Sequence, residues 1–373
     1  MKAIKKIDNR LKSIDCKIRF LSRLNPLNAR SEYRKFFSAY RQQKPYNPVF
    51  KYKPIKPNLA ALLCELANLT IKIPPVKNER WFFATHLESK RKRIIEKINA
   101  LTARGSPQFH HHSQRLFNAP SPTQVAYASR ILRNNAQDAF TKIKDNLSSS
   151  EAASYLQKYL NEKGLHWSVK VRRHISSKAG LDYLSRYLLV KQNDNFAPEE
   201  VLSLAVHEIE THIYRRENGM RQSFPGLFGE GFAGPPTTEE GLALFNELYH
   251  NYDPRRMVIM CARTFAVNLA QNNSFVYVFS KLLEYGLPIP YAWATTLRAK
   301  RGFSDTALPG AFGKDHHYLK GYLEVKNFLA NGGSIKSLYI GKLNINNIKS
   351  LERLNVNVVE PKYFPLTFIG HDH

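Results

Sequence analysis

The stretch Ala205-Val206-His207-Glu208-Ile209-Glu210-Thr211-His212 decides how this chain is interpreted. Apolar residues recur in and around it at helical spacing, on two stripes, so the sequence predicts a largely buried helix. A buried carboxylate or imidazole costs several kcal/mol unless a partner compensates for the lost water. A divalent metal would be such a partner. The stretch is therefore typical of a zinc hydrolase, with His207 and His212 as ligands and Glu208 as general base.

The spacing of the two histidines differs from the common zinc-protease motif, in which they stand four residues apart. His207 and His212 are five residues apart, which separates them by about 140° around an ideal α-helix. Both could reach one ion if the helix contains a π-bulge or ends at His212. The alternative is a buried helix whose histidines bond to backbone carbonyl groups, and the motif alone leaves both interpretations open.

The charge of the chain is strongly unbalanced, with 56 Lys and Arg against 30 Asp and Glu and a formal net charge of +26 over 373 residues. This excess predicts an anionic partner, which would be an acidic peptide, nucleic acid or an anionic membrane, or else it serves general solubility. The hydrophobic content of 43% is that of a globular protein. No apolar run reaches the roughly 18 residues that a membrane span needs.

The three cysteines, Cys16, Cys64 and Cys261, lie far apart along the chain. Their number and spacing provide neither a disulfide framework nor a cysteine metal site, which favours a reducing, intracellular setting. The N-terminus is basic but lacks the apolar core of a secretion signal. We therefore expect a cytoplasmic protein, with export to another cell as an open alternative.

The hydrophobic patterns along the chain predict a predominantly helical α+β protein with few strands. Residues 1–24 should form a basic amphipathic helical leader that docks on the body of the protein. Residues 25–122 form a helical region with an extended, proline-bounded segment at 45–54, and residues 123–373 contain the histidine motif. The sequence predicts helices at 31–41, 58–71, 85–103 and 123–163, strands at 166–171 and 187–191, and a loop over 103–122.

Three successive histidines, His110–His112, fall in that predicted loop. They could bind a metal, but a solvated cluster on a loop is the favoured interpretation.

A zinc peptidase needs a third protein ligand and one open coordination position. The best candidate is Glu240, in the helix start Thr237-Thr238-Glu239-Glu240-Gly241-Leu242-Ala243. Glu240 also fits a capping box with Thr237, in which the carboxylate folds back onto the helix N-terminus. The local sequence favours the capping box, and the ligand interpretation stays open beside it.

The histidine stretch and the Glu239-Glu240-Gly241-Leu242-Ala243 stretch together resemble the microtubule-associated tyrosine carboxypeptidases and their bacterial relatives with a QEGLA motif. Glu239 stands where the bacterial form has Gln, and Gly313 stands where Thr is common; neither position is a candidate ligand. The resemblance covers roughly residues 25–365 and includes four further stretches: Asn47–Tyr52, Asn218-Gly219 with Gln222, Arg301–Thr306 and Gly310–Gly321.

The resemblance implies a zincin-like metallopeptidase whose catalytic domain is residues 123–373, with a small β-sheet beside the active-site helix. His207, His212 and Glu240 would then bind Zn²⁺, and Glu208 would be the catalytic base. The five-residue histidine spacing is the family's own. Stabilising the oxyanion of the reaction needs a donor besides the metal; Tyr318 matches the family's spacing, whereas His316 and His317 are further candidates for which surface exposure is the favoured interpretation.

A carboxypeptidase also needs a cation for the terminal carboxylate of its substrate, and Arg263, Arg301 and Lys314 lie in matching segments. Each of them could instead be structural, and Lys314 could simply pair with Asp315. The expected function is zinc-dependent removal of a C-terminal residue, which the resemblance suggests is tyrosine or another aromatic residue, from an acidic protein tail such as a tubulin-like tail. The alternatives are a zinc endopeptidase and a nucleic-acid or membrane-binding protein with non-catalytic zinc. The sequence contains no RNA-binding signature, which disfavours nucleic acid.

Overall fold

The computed structural model describes residues 1–55, 58–140, 146–173, 175 and 177–368. Helices form most of this part of the chain, and two small sheets accompany them, which confirms the predicted, predominantly helical α+β class. None of the described helices has both the length and the apolar character of a membrane span.

The first half of the chain consists of helices that follow the amphipathic segments of the sequence. They are α1 (Lys2–Ile18), a 3₁₀ turn (Leu21–Leu24), α2 (Ala29–Arg41), α3 (Leu59–Ala67), α4 (Glu79–Thr102), α5 (Phe109–Phe117), α6 (Pro122–Ala139) and α7 (Ser149–Glu162).

The second half carries the histidine motif on one continuous helical run of three pieces, which we call the histidine helix: α8 (Pro198–Leu204), a π-helix (Ala205–Ile213) and α9 (Tyr214–Met220). The helices that follow are α10 (Pro225–Glu230), α11 (Thr237–His250), α12 (Arg255–Ala270), α13 (Phe275–Glu284), α14 (Ile289–Lys300), α15 (His317–Ala330) and α16 (Ile345–Arg353), with 3₁₀ turns at Gly313–His316, Lys336–Tyr339 and Leu366–Phe368.

Both predicted strands are present, and they pair with each other through a three-stranded sheet. β2 (Ser168–Arg172) runs parallel to β4 (Tyr187–Lys191), and β3 (Ala179–Asp182) pairs antiparallel with β4 on the other side. β3 is an edge strand that contacts the π-helix. A second, two-stranded sheet joins β1 (Leu147–Ser148) to β5 (Asn195–Phe196), directly before the histidine helix.

The amphipathic leader docks on the body, as the sequence predicts. The apolar face of α1 is buried against α4 and α10, and a buried carboxylate fixes its position, since Asp8 accepts a hydrogen bond of 2.7 Å from the Gly226 amide. One cluster of buried apolar side chains extends from Ile4 to Phe368. The proposed division at residues 24 and 122 stays a prediction, and residues 141–145 and 369–373 of the third region lie outside the described residues.

The predicted loop over 103–122 is wrong, because α5 lies within it. Phe109, Ser113, Leu116 and Phe117 recur at helical spacing and are buried, so the segment closes as a short amphipathic helix. The three histidines therefore lie on a helix. Among them, His112 bonds to Glu96 at 2.6 Å, through Nδ1.

Two glycines determine how closely the helices beside the histidine helix approach. A Cβ atom on Gly241 in α11 would lie 2.0 Å from the backbone carbonyl carbon of Gly321 in α15, and one on Gly321 would lie 1.8 Å from the Thr237 carbonyl oxygen. Only glycine fits at this crossing. It brings the first turn of α11, with Glu240, next to the start of α15, with Tyr318.

Polar side chains on α9 and two residues beyond its end hold the C-terminal part of the chain against the histidine helix. The buried Arg215 donates to the carbonyl groups of Leu338, Gly341 and Leu343. Asn218 exchanges hydrogen bonds with the backbone of Tyr339, Lys362 and Tyr363, and Gln222 does so with Ile340 and Val359. We call Arg215, Asn218 and Gln222 the α9 clamp.

Candidate metal centre

The π-helix removes the difficulty that the five-residue histidine spacing presents. In a π-helix the backbone bonds from residue i to residue i+5, so side chains five apart lie over one another. The Nε2 atoms of His207 and His212 are 3.1 Å apart. The Thr211 hydroxyl supports the wider turn by donating to the Val206 carbonyl group, five residues earlier, at 3.0 Å. The two imidazoles therefore converge on one point.

Glu240 faces the same point. Its Oε2 atom lies 3.8 Å from His207 Nε2 and 3.7 Å from His212 Nε2. The capping-box prediction is wrong, because α11 begins without a side-chain cap and the Thr237 hydroxyl bonds to His317 instead. α11 packs against α15, and the Glu240 carboxylate extends toward the histidines.

The donor set fits a divalent cation of the zinc type. The ligand atoms of His207, His212 and Glu240 all lie within 4.8 Å of one another. Glu240 Oε2 is buried and has no hydrogen-bond partner among the described residues, a costly state for a carboxylate oxygen. Tetrahedral ligands at zinc–ligand distances of about 2.0–2.1 Å lie about 3.3 Å apart. The observed triangle needs to contract by only a few tenths of an ångström on two sides.

Each histidine is oriented by its own carboxylate, which is buried for Glu247 and partly buried for Glu239. His207 Nδ1 lies 2.6 Å from Glu247 Oε1, and His212 Nδ1 lies 2.8 Å from Glu239 Oε1. When Nδ1 donates to a carboxylate, the Nε2 lone pair faces the metal position and the ring cannot rotate away. Sequence reasoning missed Glu247. A signal was present, because Glu247 follows Glu240 by seven residues, two turns along the same face of α11.

Each of the carboxylates Glu239, Glu240 and Glu247 is paired with a cation. Glu247 bonds to Arg256 and to the Ser203 hydroxyl, Glu239 to Lys342 at 2.9 Å, and Glu240 Oε1 to Lys314 at 2.6 Å. Burial opposes ionisation of Glu247, yet Arg256 and His207 hold its pKa at about 2. The same balance, with Lys314 as the main cation, holds the pKa of Glu240 well below its usual value. All three carboxylates are thus kept ionised.

Glu208 differs from these three carboxylates. It is buried, next to His207 on the π-helix, but its carboxylate has no hydrogen-bond or ion-pair partner among the described residues. Its chain neighbour His207 lies at the point on which the three candidate ligands converge, so the backbone of Glu208 lies beside that point. A carboxylate that is held beside the metal position without a partner is available to accept a proton.

The chain also matches a known protein family along most of its length. The family model described as microtubule-associated tyrosine carboxypeptidase matches residues 34–371. The chain belongs to this family.

Curated members of the family share parts of their length with the chain. The putative tyrosine carboxypeptidase MATCAP2 of Mus musculus is 29% identical over 174 residues, which are 45% of this chain and 32% of that protein. The microtubule-associated tyrosine carboxypeptidase 1 of Rattus norvegicus is 35% identical over 124 residues, 32% of this chain and 26% of that protein. The matched stretches thus span about a third or less of these relatives.

The family stretch Gly310–Gly321 reaches the metal centre through two side chains. Lys314 Nζ, besides its bond to Glu240, lies 3.4 Å from the Tyr318 hydroxyl. The Tyr318 ring stacks beside that of His207, with 6.4 Å between centroids. The structure therefore brings Tyr318 to the centre, and its role as an oxyanion donor stays a prediction.

His316 and His317 do not reach the centre, and their expected surface exposure is wrong. Both are buried, and both Nε2 atoms donate to the Phe117 carbonyl group, at 2.9 and 2.8 Å. Burial lowers the pKa of both imidazoles, and that of His317 to about 2. These neutral rings fill the space between α5 and α15.

The suggested ion pair between Lys314 and Asp315 is also wrong, because the two side chains bind different partners. Lys314 binds Glu240, whereas Asp315 bonds to Arg298 and lies 3.7 Å from Arg301. The Arg301 guanidinium also stacks on Phe312, 4.7 Å from the ring centroid.

Arg263, on α12, is the third candidate cation and is placed differently. Its guanidinium lies 5.2 Å from the centroid of the Tyr318 ring. The polar contact that its side chain makes is a weak one to the Met260 sulfur at 3.5 Å. All three candidate cations lie near Asp315 and Tyr318.

Proposed function

We propose that this protein is a zinc-dependent, zincin-like metallocarboxypeptidase that removes a C-terminal residue from an acidic protein tail. The observation that carries the proposal is the convergence of His207, His212 and Glu240 beside a carboxylate, Glu208, that has no partner in the described structure. A zinc ion held by these three residues would polarise a carbonyl group and acidify a water molecule.

The residues of the chain supply the proton transfers. Glu208 would accept the proton of the attacking water and pass it to the leaving amine. Tyr318, whose hydroxyl lies near Lys314, would donate a hydrogen bond to the oxygen that becomes negative in the transition state. Glu239 and Glu247 would keep both histidines aligned throughout.

The substrate class follows from relatives and charge. Both relatives are named tyrosine carboxypeptidases, and the one from Rattus norvegicus is also named microtubule-associated. These names support an aromatic C-terminal residue on a tubulin-like tail. The net charge of +26 independently favours an acidic peptide, because it raises the encounter rate with a polyanion.

Two other readings of the site are less well supported. A non-catalytic zinc site is usually closed and rich in cysteine, and such a site needs no unpartnered base such as Glu208. A cysteine nucleophile is disfavoured because Cys261 is buried against Met257 and burial raises its pKa to about 12. The other two cysteines, Cys16 and Cys64, lie on α1 and α3, which do not carry the histidine motif or Glu240.

A zinc endopeptidase would use the same metal ligands, so the position of the cleaved bond must distinguish it from a carboxypeptidase.

The test is mass spectrometry of acidic peptides with varied C-terminal residues, incubated with zinc-loaded protein. We expect loss of one terminal residue and its abolition by a chelator. Glu208→Gln should keep the zinc and lose several orders of magnitude in rate. Glu210→Gln is the matched control, since Glu210 lies two residues away but bonds to Tyr159 and Lys163. Full activity of Glu208→Gln would refute the hydrolase, and internal cleavage would identify an endopeptidase.

A further inference from the structure

A carboxypeptidase must recognise the terminal carboxylate of its substrate in a partly desolvated site, where an unpaired anion is costly. The chain therefore needs a cation that is near the metal centre and not already neutralised. Most of the cations close to the centre fail the second condition, because Arg256, Lys342 and Lys314 each bind one of the ligand-orienting or ligating carboxylates.

Lys314 is bound to the third ligand. Its ammonium group donates to Glu240 Oε1 at 2.6 Å and leaves Oε2 directed at the histidines. Removing Lys314 from this contact to bind a substrate would leave Glu240 uncompensated. Lys314 is therefore a positioning residue for Glu240.

Arg301 is held from both sides. It is 3% exposed, stacks on Phe312 and lies beside Asp315. A side chain that is closed off from solvent in this way supports the packing of the Arg301–Thr306 stretch and cannot receive a peptide end without rearrangement.

Arg263 meets both conditions. It is only partly buried, and within the described ranges its guanidinium has no carboxylate in hydrogen-bond or ion-pair contact. It lies over the ring of Tyr318, and that ring stacks beside His207. The Tyr318 ring thus lies between the Arg263 guanidinium and the candidate ligand His207.

The charges around Arg263 also call for an anion. Arg298, Arg301 and Arg263 all act electrostatically on a single carboxylate, Asp315, whose two oxygens are already engaged by Arg298. Burial, and next the repulsion of Arg298, lowers the pKa of Arg263 to about 10, which leaves it charged at neutral pH. Arg263 therefore lies among like charges and has no carboxylate in contact with it among the described residues.

We infer that Arg263 binds the terminal carboxylate of the peptide substrate, while Lys314 positions Glu240 and Arg301 supports the fold. This inference rests on the proposed carboxypeptidase function and specifies the subsite that makes the enzyme an exopeptidase. A planar guanidinium can grip a carboxylate through two parallel hydrogen bonds, whereas an ammonium group cannot.

The experiment compares a peptide of four glutamates and a C-terminal tyrosine with the same peptide carrying a C-terminal amide. The zinc-loaded wild type should cleave the free acid at least about 100-fold faster than the amide. Arg263→Gln should lower kcat/KM for the free acid about 100-fold or more, mainly through KM, and so lose the preference. Arg130→Gln is the matched control, because Arg130 is exposed and lies over Tyr127 at 5.4 Å; it should behave as the wild type.

The outcomes separate the inference from the function on which it rests. If the wild type cleaves neither peptide, the proposed function fails and the assignment of Arg263 fails with it. If the wild type prefers the free acid and Arg263→Gln keeps that preference, the carboxypeptidase stands and the assignment of Arg263 is wrong. Should Arg263→Gln lose zinc or unfold, Arg263→Lys decides: we expect a preserved preference with kcat/KM about 10-fold lower, and an unchanged kcat/KM would overturn the assignment.

Discussion

At the scale of single residues, the centre is organised by pairing each functional group with one partner. Glu247 and Glu239 orient the histidines, Lys314 orients Glu240, and each of these contacts is 2.8 Å or shorter. Glu208, the carboxylate of this centre that has no partner among the described residues, is the one that the proposed chemistry needs. Pre-orientation of this kind lowers the cost of assembling the site when an ion binds.

The first prediction concerns Glu240 as a ligand. Zinc-loaded wild type should contain one zinc per chain, and Glu240→Ala should lose most of it, because two histidines alone hold zinc weakly. Metal analysis after gel filtration measures this. Glu239→Gln, which leaves the ligands intact and weakens one orienting contact, should lower zinc affinity only about 10- to 100-fold. Equal zinc in Glu240→Ala and wild type would remove Glu240 from the site.

Sequence alone could predict the proposed ligands and the proposed base, but not the side chains that orient them. His207, Glu208 and His212 are close in the chain, so one local motif reveals them. Glu240 was ambiguous, since a glutamate three residues after a threonine at a helix start fits a cap equally well. Whether its carboxylate turns back or outward depends on the crossing with α15, which is a contact between residues 80 positions apart. The contacts of Lys342 with Glu239 and of Arg256 with Glu247 likewise depend on how the helices pack, which the local sequence does not show.

At the scale of elements, the close crossing of α11 and α15 is what brings the two family motifs together. We predict that Gly241→Ala separates these helices, because the added methyl group would lie 2.0 Å from the Gly321 backbone. Overpacking of this kind costs about 1–3 kcal/mol or more, and zinc affinity should fall with it. Gly180→Ala is the control, since its Cβ would meet only Ser177 Oγ at 3.7 Å. Thermal unfolding and zinc titration of both variants test the prediction, which fails if the two behave alike.

A second prediction at this scale concerns Lys300, which joins the end of α14 to α12. Its side chain is fully buried, and its ammonium group donates to the carbonyl groups of Leu308 and Ala270 at 2.7 and 3.3 Å. Burial lowers its pKa to about 7, whereas an unfolded lysine titrates near 10.4. Between these values the unfolded chain binds the extra proton, so this residue makes the free energy of unfolding rise as pH increases, by up to about 1.4 kcal/mol per pH unit.

Lys300→Met removes that contribution. Measured between pH 7 and pH 9, the Tm of the wild type should increase relative to that of Lys300→Met, and below pH 7 the difference should become constant. Parallel pH profiles would contradict the assigned pKa. The comparison isolates Lys300, because all other titrating groups are common to both proteins.

Elements differed in how well the sequence revealed them. The strands β2 and β4 and the docked leader followed from alternation and amphipathic spacing, which are local. The sequence does not reveal α5, because Gly, Ser and Pro at the two ends of residues 103–122 obscure the helical spacing of Phe109, Leu116 and Phe117. The π-helix was one of two geometries that could unite the histidines. Contacts with another helix favour the π-helix, since Asn246 on α11 donates a hydrogen bond of 2.8 Å to the Thr211 hydroxyl.

At the scale of the whole molecule, charge is the dominant property. The excess of +26 is distributed over many surface lysines and arginines, so it acts on an acidic peptide through long-range attraction more than through specific contacts. We predict that salt raises KM for an acidic peptide and has little effect on one whose glutamates are replaced by glutamines. Steady-state kinetics between low and physiological ionic strength measure the effect. Equal KM values for both peptides at low salt would assign the basic surface to another partner.

The π-helix has one more consequence, for the tolerance of the chain to changes in length. Deleting a single residue between Ile209 and His212 would create the commoner four-residue histidine spacing, which an ordinary α-helix accommodates. Because a π-helix takes up one extra residue within its wider turns, the residues beyond Ile213 would keep their present faces when the segment returns to α-helical geometry. The α9 clamp of Arg215, Asn218 and Gln222 would then still reach the C-terminal segment. A variant that lacks Thr211 should therefore lose stability mainly through the contact of that side chain with Asn246, by about 1–3 kcal/mol, and unfolding of the C-terminal segment would contradict this expectation. The histidine spacing can thus change in length without moving the parts of the chain that lie downstream of it.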